Sequence, residues 1–336
     1  MAENKRVHII AEAGTNHNGM TEQGLELIDL AKSSEADSVK FQIINTDGLY
    51  LPGKYEFGRY DIDEVREMRR RFELRDDDYI KLSSYAKSRN LEFSASVFDY
   101  KGLDLLSRLS PPYIKIASTD LNNLLLLRRI AEHGIKMILS TGMSSLADIE
   151  KSVSEILKTG FNDIVLMHCI SVYPAQLRDC NLGFIDTLRS AFGFPVGFSD
   201  HTQSSIAACL SVTKGVSYIE KHFTLDRKLE GFDHAYAAEK QELADYIADV
   251  RDAETALSIT PQKLTEPELL TRKRARRSLY ASRFLPAGTK ITEEHVLVVR
   301  PQNVMSADEI DSLIGKTLNV DLNAYSPFAP QYLKHD

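Results

Sequence analysis

Short runs of apolar and β-branched residues alternate with amphipathic stretches over the first 257 residues of the chain. Runs of about four to eight such residues between turn signals predict strands, whereas a period of 3.6 residues predicts helices. The predicted strands are Val7–Glu12, Asp37–Ile43, Glu92–Val97, Tyr113–Ala117, Lys136–Thr141, Asp163–His168, Pro195–Ser199 and Ser217–Phe223. Segments between them with helical periodicity include Glu22–Ser34, Asp76–Ser88, Leu146–Thr159, Ser204–Thr213 and Glu239–Leu257.

This alternation predicts a parallel sheet, because parallel strands need long crossover connections, which are usually helical. Eight strand–helix units in about 250 residues are typical of a (β/α)8 TIM barrel. The main alternative is an open, doubly wound sheet, which normally carries a glycine-rich phosphate-binding fingerprint after its first strand. Gly14–Gly19 does not have that spacing. The sequence therefore predicts an α/β fold with a TIM barrel over residues 1–257.

Polar side chains recur at the carboxyl ends of the predicted strands. In a TIM barrel these ends converge on one mouth, where catalytic groups lie. Because Lys and Glu are rarely buried without partners, a whole series of them predicts a site rather than separate ion pairs. The series consists of Glu12, Lys40, Gln42, Ser96, Lys115, Ser118, Ser140, His168, Asp200, His201, Glu220 and His222.

Two histidines stand at the ends of the last two predicted strands. Side chains alternate along a strand, so Glu220 and His222 share one face, and His201 follows the preceding strand. Such a pair suits a metal site. Either histidine alone would be interpreted as a satisfied core residue, but the pair, with Asp200 and Glu220 beside it, favours a metal or polar-substrate site.

A long insertion, Asn45–Glu73, separates the second and third predicted strands. Loops of this length are usually lids, binding loops or disordered segments. The insertion carries several aromatic residues, which favour an ordered lid over disorder. These residues are Tyr50, Tyr55, Phe57 and Tyr60.

After Leu257 the pattern changes, and residues 258–277 are predicted to be a linker. Ser258–Leu270 contains prolines, and Thr271–Arg277 is a basic run of the kind that usually forms a solvated surface. Residues 278–336 are predicted to form a small second domain. Its predicted elements are strands at Ser278–Ser282 and Val296–Arg300 and a short helix at Ile310–Gly315.

Composition narrows the function classes. The chain has 43% hydrophobic and 26% charged residues, a net charge of −7 and a pI near 5.8, which argue against a nucleic-acid-binding protein. Its three cysteines, Cys169, Cys180 and Cys209, form neither a metal-binding spacing nor a disulfide framework. Neither a signal peptide nor a membrane-spanning run is evident, so the sequence predicts a cytoplasmic protein.

The order of motifs along the chain resembles the sialic acid synthase family, which makes nonulosonic acids. The barrel motifs are Ala11–Gly19, Val39–Gln42, Tyr113–Ser118, Leu139–Met143, His168–Cys169, Tyr173–Pro174, Gly197–Thr202, Glu220–Thr224 and Asp233–His234. Residues 278–336 resemble the antifreeze-like (SAF) domain of that family, through Arg277–Leu279, Pro286–Gly288 and Arg300–Pro301. Each motif is weak alone, but the ordered set covers nearly the whole chain.

The resemblance implies a transferase that condenses phosphoenolpyruvate with an N-acyl amino-sugar aldehyde, N-acetylmannosamine or a 2,4-diacetamido hexose, and releases phosphate. It implies a divalent metal, Mn or Mg, on His201 and His222, with Glu12 as a third catalytic residue. It assigns phosphoenolpyruvate binding to Lys40, Lys115, Ser118, Ser140, Ser171 and Ser199. It assigns sugar binding to Gln42, Ser96, Phe98, Asp120, Tyr173, Glu220, Asp233 and Arg300. It also implies a domain-swapped homodimer in which Arg300 reaches the partner's substrate.

Four positions depart from the family pattern. Val97 stands where many members have Pro, and Asp120 replaces the more common Glu. Ala237 stands where Ser usually occurs, and Gln302 interrupts a glycine-rich stretch. All four lie on the side of the predicted sugar, so they leave the identity of the sugar open.

Other interpretations compete with this one. A different metal-dependent aldolase or hydrolase would not need a phosphate cradle, so Lys40 and Lys115 argue against it. A non-catalytic sugar-binding relative would be expected to lack Glu12 or a metal-binding histidine, and neither is lost. Lys115 could instead pair with Glu12 as a structural bridge, while Ser140 and Ser199 could cap the helices that follow them.

Overall fold

The computed structural model describes residues 6–53, 61–257 and 264–334. The chain divides into two compact units, Met1–Ser258 and Ile259–Asp336. Each unit is described by itself.

The first unit is a closed barrel of parallel strands, which confirms the predicted TIM-barrel fold. Each strand pairs with the next, and β8 closes the barrel by pairing with β1. The strands are β1 His8–Gly14, β2 Ser38–Ile43, β3 Glu92–Val97, β4 Ile114–Ile116, β5 Met137–Ser140, β6 Ile164–Cys169, β7 Val196–Asp200 and β8 Tyr218–His222.

Helices follow the strands and cover the barrel. They are α1 Thr21–Ser33, α2 Thr46–Leu49, α3 Ile62–Arg71, α4 Asp76–Ser88, α5 Tyr100–Arg108, α6 Leu124–Glu132, α7 Leu146–Leu157, α8 Phe184–Phe192, α9 Ile206–Thr213 and α10 Lys240–Ala256. Within the described ranges, no helix has the length and apolar composition needed to cross a bilayer.

Side-chain alternation along the strands builds two separate layers of core. In β1, Ile9 and Ala11 point outward and pack in the large cluster between strands and helices. Ile10 points inward and packs in a small interior cluster with Met167 of β6 and with Tyr113, which directly precedes β4. The interior cluster fills the barrel, so the polar residues farther along the inward faces are left at its carboxyl end.

The insertion Asn45–Glu73 contains α2 and α3, so its described parts are ordered by helices. The Asp47 carboxylate accepts hydrogen bonds from Nη2 of Arg66 at 2.8 Å and of Arg70 at 2.5 Å. These ion pairs tie α2 to α3. The aromatic residues Tyr55, Phe57 and Tyr60, on which the lid prediction also rests, lie outside the described residues.

The second unit has its own small core around a two-stranded antiparallel sheet, in which β9 Ser278–Ala281 pairs with β10 Val296–Val299. Helix α11, Glu266–Ala275, lies within the segment predicted to be a linker, and its first turn is capped by Thr265. The basic run begins in the last turn of α11, where cations interact favourably with the helix dipole. A short helix, α12 Ile310–Leu313, matches the third predicted element.

Candidate active site

The carboxyl ends of the barrel strands surround a cavity of about 820 Å³. Most of the residues that the sequence predicted for a site line it. These are Glu12, Lys40, Gln42, Ser96, Phe98, Lys115, Ser118, Ser140, Ser171, Tyr173, Ser199, His201, Glu220, His222 and Asp233.

Three residues of the first unit that the sequence singled out, Asp120, His168 and Asp200, do not line this cavity. The carboxylate of Asp120 accepts hydrogen bonds from Thr119 and Asn123, and Thr119 lines the cavity instead. His168 and Asp200 point outward from the barrel; Nε2 of His168 meets the carbonyl of Cys180, and Asp200 accepts from the hydroxyl of Tyr246. Arg300 belongs to the second unit, which is described by itself, so its predicted role in sugar binding stays a prediction.

A buried charge cluster lies at the floor of the cavity. Nζ of Lys40 is 2.6 Å from Oε2 of Glu12 and 3.6 Å from Oε2 of Glu220, and all three side chains are at most 5% exposed. Burial, together with the charge of Glu220, raises the pKa of Glu12 to about 7 despite the nearby ammonium. Glu220 has the opposite shift: burial opposes ionisation, but Lys115 and Lys40 hold its pKa well below the usual value. The two carboxylates therefore differ in acidity within one site, which suits acid–base chemistry.

Lys115 differs from Lys40 in its partners. Its Nζ donates to Oγ of Ser140 at 2.6 Å and to the carbonyl of Ile116 at 3.2 Å. Among the described residues, no carboxylate forms an ion pair with it. Burial consequently lowers the pKa of Lys115. Its ammonium group is left available to an anionic ligand.

Hydroxyl groups beside Lys115 form a small cradle, which Gly142 makes possible. A Cβ atom at Gly142 would lie 2.2 Å from Oγ of Ser171 and 2.8 Å from Oγ of Ser118. Only glycine therefore lets both hydroxyls approach its backbone, whose N–H donates to Ser118 at 3.1 Å. With Ser140, these groups offer several short hydrogen bonds to one compact anion.

The histidine pair lies beside the charge cluster, and Ser199 bridges His201 and Glu220. The rings of His201 and His222 have centroids 5.5 Å apart. Nδ1 of His201 bonds to the carbonyl of Ile170 at 2.7 Å, which leaves Nε2 unprotonated in the neutral ring. The hydroxyl of Ser199 lies 3.2 Å from that Nε2, but its one proton can go to Glu220, 2.8 Å away. The lone pair of His201 Nε2 then stays available.

Both imidazoles are held neutral, as metal ligands must be. Burial, and next the proximity of His222, lowers the pKa of His201 to about 4. Burial also lowers the pKa of His222, against the pull of Asp233. Nδ1 of His222 is buried without a hydrogen-bond partner in the described structure. Two neutral imidazoles suit a divalent metal. Among the described residues no group of three or more His, Cys, Asp or Glu side chains is placed to hold one, so water and substrate oxygens would have to supply its other ligands.

Two tyrosine rings, those of Tyr173 and Tyr236, pack beside these histidines. The ring of Tyr173 lies 4.2 Å from that of His201 and 4.8 Å from that of Tyr236, measured between centroids. The hydroxyl of Tyr236 donates to Oδ1 of Asp233 at 2.6 Å. This side of the cavity thus offers aromatic faces and fixed oxygen acceptors, which suit a polyhydroxylated ligand.

Comparison with known proteins identifies the family of the chain and of its second unit. The NeuB family profile matches residues 27–261. This chain belongs to the NeuB family. The SAF domain profile matches residues 276–332, so the resemblance of the second unit to the antifreeze-like domain is also confirmed.

Several relatives of this NeuB-family chain are named as acid synthases. The N,N'-diacetyllegionaminic acid synthase of Legionella pneumophila is 36% identical over 325 residues, which cover 94% of this chain and 91% of that protein. The N-acetylneuraminate-9-phosphate synthase of Drosophila melanogaster is 31% identical over 356 residues, 96% of this chain and 94% of that protein. A solved N-acetylneuraminic acid (sialic acid) synthetase from Leptospira borgpetersenii, in complex with citrate, has a TM-score of 0.70 and 34% identity. That match covers 80% of this chain and 90% of the solved one.

Several residues of this NeuB-family cavity were missed in the sequence. Arg69 reaches the cavity from α3, and Phe232 and Tyr236 reach it from the segment after β8. Tyr236 lies three residues after Asp233 in one short helical turn, and that spacing could have indicated it. Arg69 gave no such signal, because the periodicity of an inserted helix does not tell which part of the barrel it covers.

Proposed function

We propose that this chain is a nonulosonic acid synthase that condenses phosphoenolpyruvate with an open-chain N-acyl amino-sugar aldehyde and releases phosphate. One observation supports this most: a buried, unpaired Lys115 in a hydroxyl cradle shares a cavity with two neutral imidazoles. The first feature suits a small phosphorylated anion, and the second suits a metal that binds an aldehyde oxygen. The acid synthases among the relatives support the same class of product.

Phosphoenolpyruvate would bind in the half of the cavity formed by Lys115 and the hydroxyl cradle. Its phosphate and carboxylate oxygens accept hydrogen bonds from the ammonium and from Ser118, Ser140 and Ser171. Each charge-assisted bond is worth about 1.5–3 kcal/mol, so the set fixes the orientation of a small trianion. Lys40 adds positive charge while its own partners, Glu12 and Glu220, hold it in place.

The reaction then forms a bond between the methylene carbon of phosphoenolpyruvate and the aldehyde carbon of the sugar. The adjacent carbon of phosphoenolpyruvate is the one that carries the phosphate oxygen. Mn or Mg on His201 and His222 would polarise the aldehyde carbonyl. Glu12, with its raised pKa, would accept a proton from the water that adds to the adjacent carbon, and that proton then passes to the alkoxide oxygen left on the former aldehyde carbon. Loss of phosphate from the resulting tetrahedral carbon leaves the keto acid.

The acceptor sugar would occupy the half of the cavity lined by aromatic residues and carboxylates. Tyr173 packs against the His201 ring, and Asp233 is oriented by Tyr236, so both present fixed groups to hydroxyls of an open chain. The enzyme would act as a domain-swapped homodimer in which Arg300 serves the partner's site. That part of the proposal rests on the resemblance of the SAF domain.

The test is product formation from phosphoenolpyruvate, followed by mass spectrometry and phosphate release. The acceptor panel contains N-acetylmannosamine, its 6-phosphate and 2,4-diacetamido hexoses. We expect turnover with at least one acceptor, its loss in a chelator, and its return with Mn or Mg. His222→Ala should be inactive, and the control His133→Ala, at the end of α6, should be fully active. A protein that binds these sugars but forms no product with any of them would be a non-catalytic relative, and the proposal would fail.

A further inference from the structure

Arg69 is a cation of the cavity to which neither the proposed mechanism nor the resemblance gives a role. Its guanidinium stacks on the ring of Phe232, with Cζ 3.5 Å from the ring centroid. Nη1 donates to Oγ1 of Thr15 at 3.2 Å. Nε is buried without a hydrogen-bond partner, and no carboxylate of the described chain pairs with the group. The guanidinium is therefore held in place but not neutralised.

The other arginines of α3 show that this is a property of one position. Arg66 and Arg70 both pair with Asp47, which lies in α2. Arg71 is exposed on the surface of the helix. Only Arg69 of this group lines the cavity.

The position of Arg69 in the barrel separates it from the phosphoenolpyruvate cradle. Thr15 directly follows β1, and Phe232 belongs to the segment after β8. The cradle residues lie in or just after β4, β5 and β6, which lie across the closed barrel from β8 and β1. One small anion in the cradle therefore does not reach Arg69. The neighbour of Phe232 is Asp233, on the side of the cavity proposed for the sugar.

We propose that Arg69 binds a negatively charged substituent of the acceptor sugar, a phosphate ester or a carboxylate, and thereby sets acceptor specificity. This inference rests on the proposed function and deepens it. Because Nη1 is used by Thr15, the edge formed by Nε and Nη2 remains for the ligand, and that edge can bind two oxygens of one oxyanion. A neutral acyl group would accept a hydrogen bond there but would leave the charge unpaired.

The contact with Phe232 orders the guanidinium of Arg69 before an anionic substituent of the sugar binds to it. The contact with the ring restrains the guanidinium before the ligand binds, so less side-chain freedom is lost on binding. A lysine at the same position would keep the charge but would lose both the stacking and the paired donors.

The experiment compares acceptors that differ only in charge: N-acetylmannosamine, its 6-phosphate and its 6-carboxylate analogue. We expect the protein to prefer a charged acceptor by kcat/KM. Arg69→Gln should lower kcat/KM for that acceptor by about 10- to 100-fold, mainly through KM, because one charge-assisted contact is lost. The KM values for phosphoenolpyruvate and for the neutral acceptor should not change. Arg69→Lys should fall between, and Arg71→Gln is the matched control on the same helix.

Binding is measured separately with unreactive acceptors, the reduced alditols of the same three sugars, by calorimetry. Tight binding of the phosphate or the carboxylate alditol that weakens in Arg69→Gln supports the inference and tells which anion is recognised. Preference for the neutral acceptor, or an equal loss on all three acceptors in Arg69→Gln, would overturn it. Failure of every acceptor to react with phosphoenolpyruvate would instead overturn the proposed function.

Discussion

The difference between the two buried lysines gives a sharp test of how the cavity is divided. Replacing Lys115 by Met keeps most of the volume and removes only the charge and its hydrogen bonds. Lys115 is 3% exposed, pairs with no carboxylate of the described chain and donates to Ser140 at 2.6 Å. Lys115 helps to hold the pKa of Glu220 down, but Lys40 still lies beside that carboxylate in the variant, so Lys115→Met should cost less stability than Lys40→Met.

Phosphoenolpyruvate should behave differently, because Lys115→Met removes a charge-assisted contact to a trianion. The loss is about 1.5–3 kcal/mol, or about 10- to 150-fold in the KM for phosphoenolpyruvate. Steady-state kinetics with each substrate varied in turn measures it, and thermal unfolding measures stability. Lys151→Met, on the exposed face of α7, is the control. An equal rise in the acceptor's KM would refute the assignment of Lys115 to phosphoenolpyruvate, and a loss of stability as large as that of Lys40→Met would refute the difference between the two lysines.

Three further perturbations test the rest of the site. Lys40→Met should cost about 3–5 kcal/mol of unfolding free energy in urea, because Glu12 and Glu220 then face each other without their cation; an unchanged midpoint would contradict the pairing. In the unaltered protein kcat should rise as the pH passes about 7, where Glu12 loses its proton, and Glu12→Gln should lower kcat and abolish that inflection; an inflection that persists would assign it to another group. After subunit exchange, inactive His222→Ala and Arg300→Ala proteins should regain activity together, since one site of the heterodimer carries neither change; no recovery despite proven exchange would exclude action across the dimer.

Much of the barrel could be predicted, because each predicted strand overlaps an observed one. The inward side chains could also be predicted where the alternation was followed residue by residue. The prediction that His168 and Asp200 face the mouth is wrong, because these residues share the outward face with Leu166 and Phe198 of the same strands. Both residues stand at strand ends, but their position in the alternation turns them away from the mouth.

Contributions from outside the strands were harder to predict. Arg69 lies on a helix inserted after β2, and only the folded chain shows that this helix brings a side chain to the mouth near β1. Thr119, next to the predicted Asp120, faces the cavity because a short turn of 3-10 helix follows β4 and breaks the strand's alternation. Sequence periodicity fixes side-chain direction within a regular element, but it gives no direction once the element ends.

The contacts of Lys221 on the outer face of β8 help to fix the register of this strand. Glu220 and His222 point inward, while the ammonium of Lys221 between them points outward, donates to the carbonyl of Thr202 and lies 3.7 Å from Oδ2 of Asp200. At the carboxyl end of β8 both faces of the strand carry charged side chains. The alternation of apolar and polar residues therefore cannot determine which face points into the barrel. Electrostatic interactions determine the inward face instead, because a shift by one residue would bury Glu220, Lys221 and His222 without their partners. Lys221 therefore helps to fix the register of β8. In a variant that loses Lys221, the strand should be able to shift by one residue, which would turn Glu220 and His222 away from the cavity.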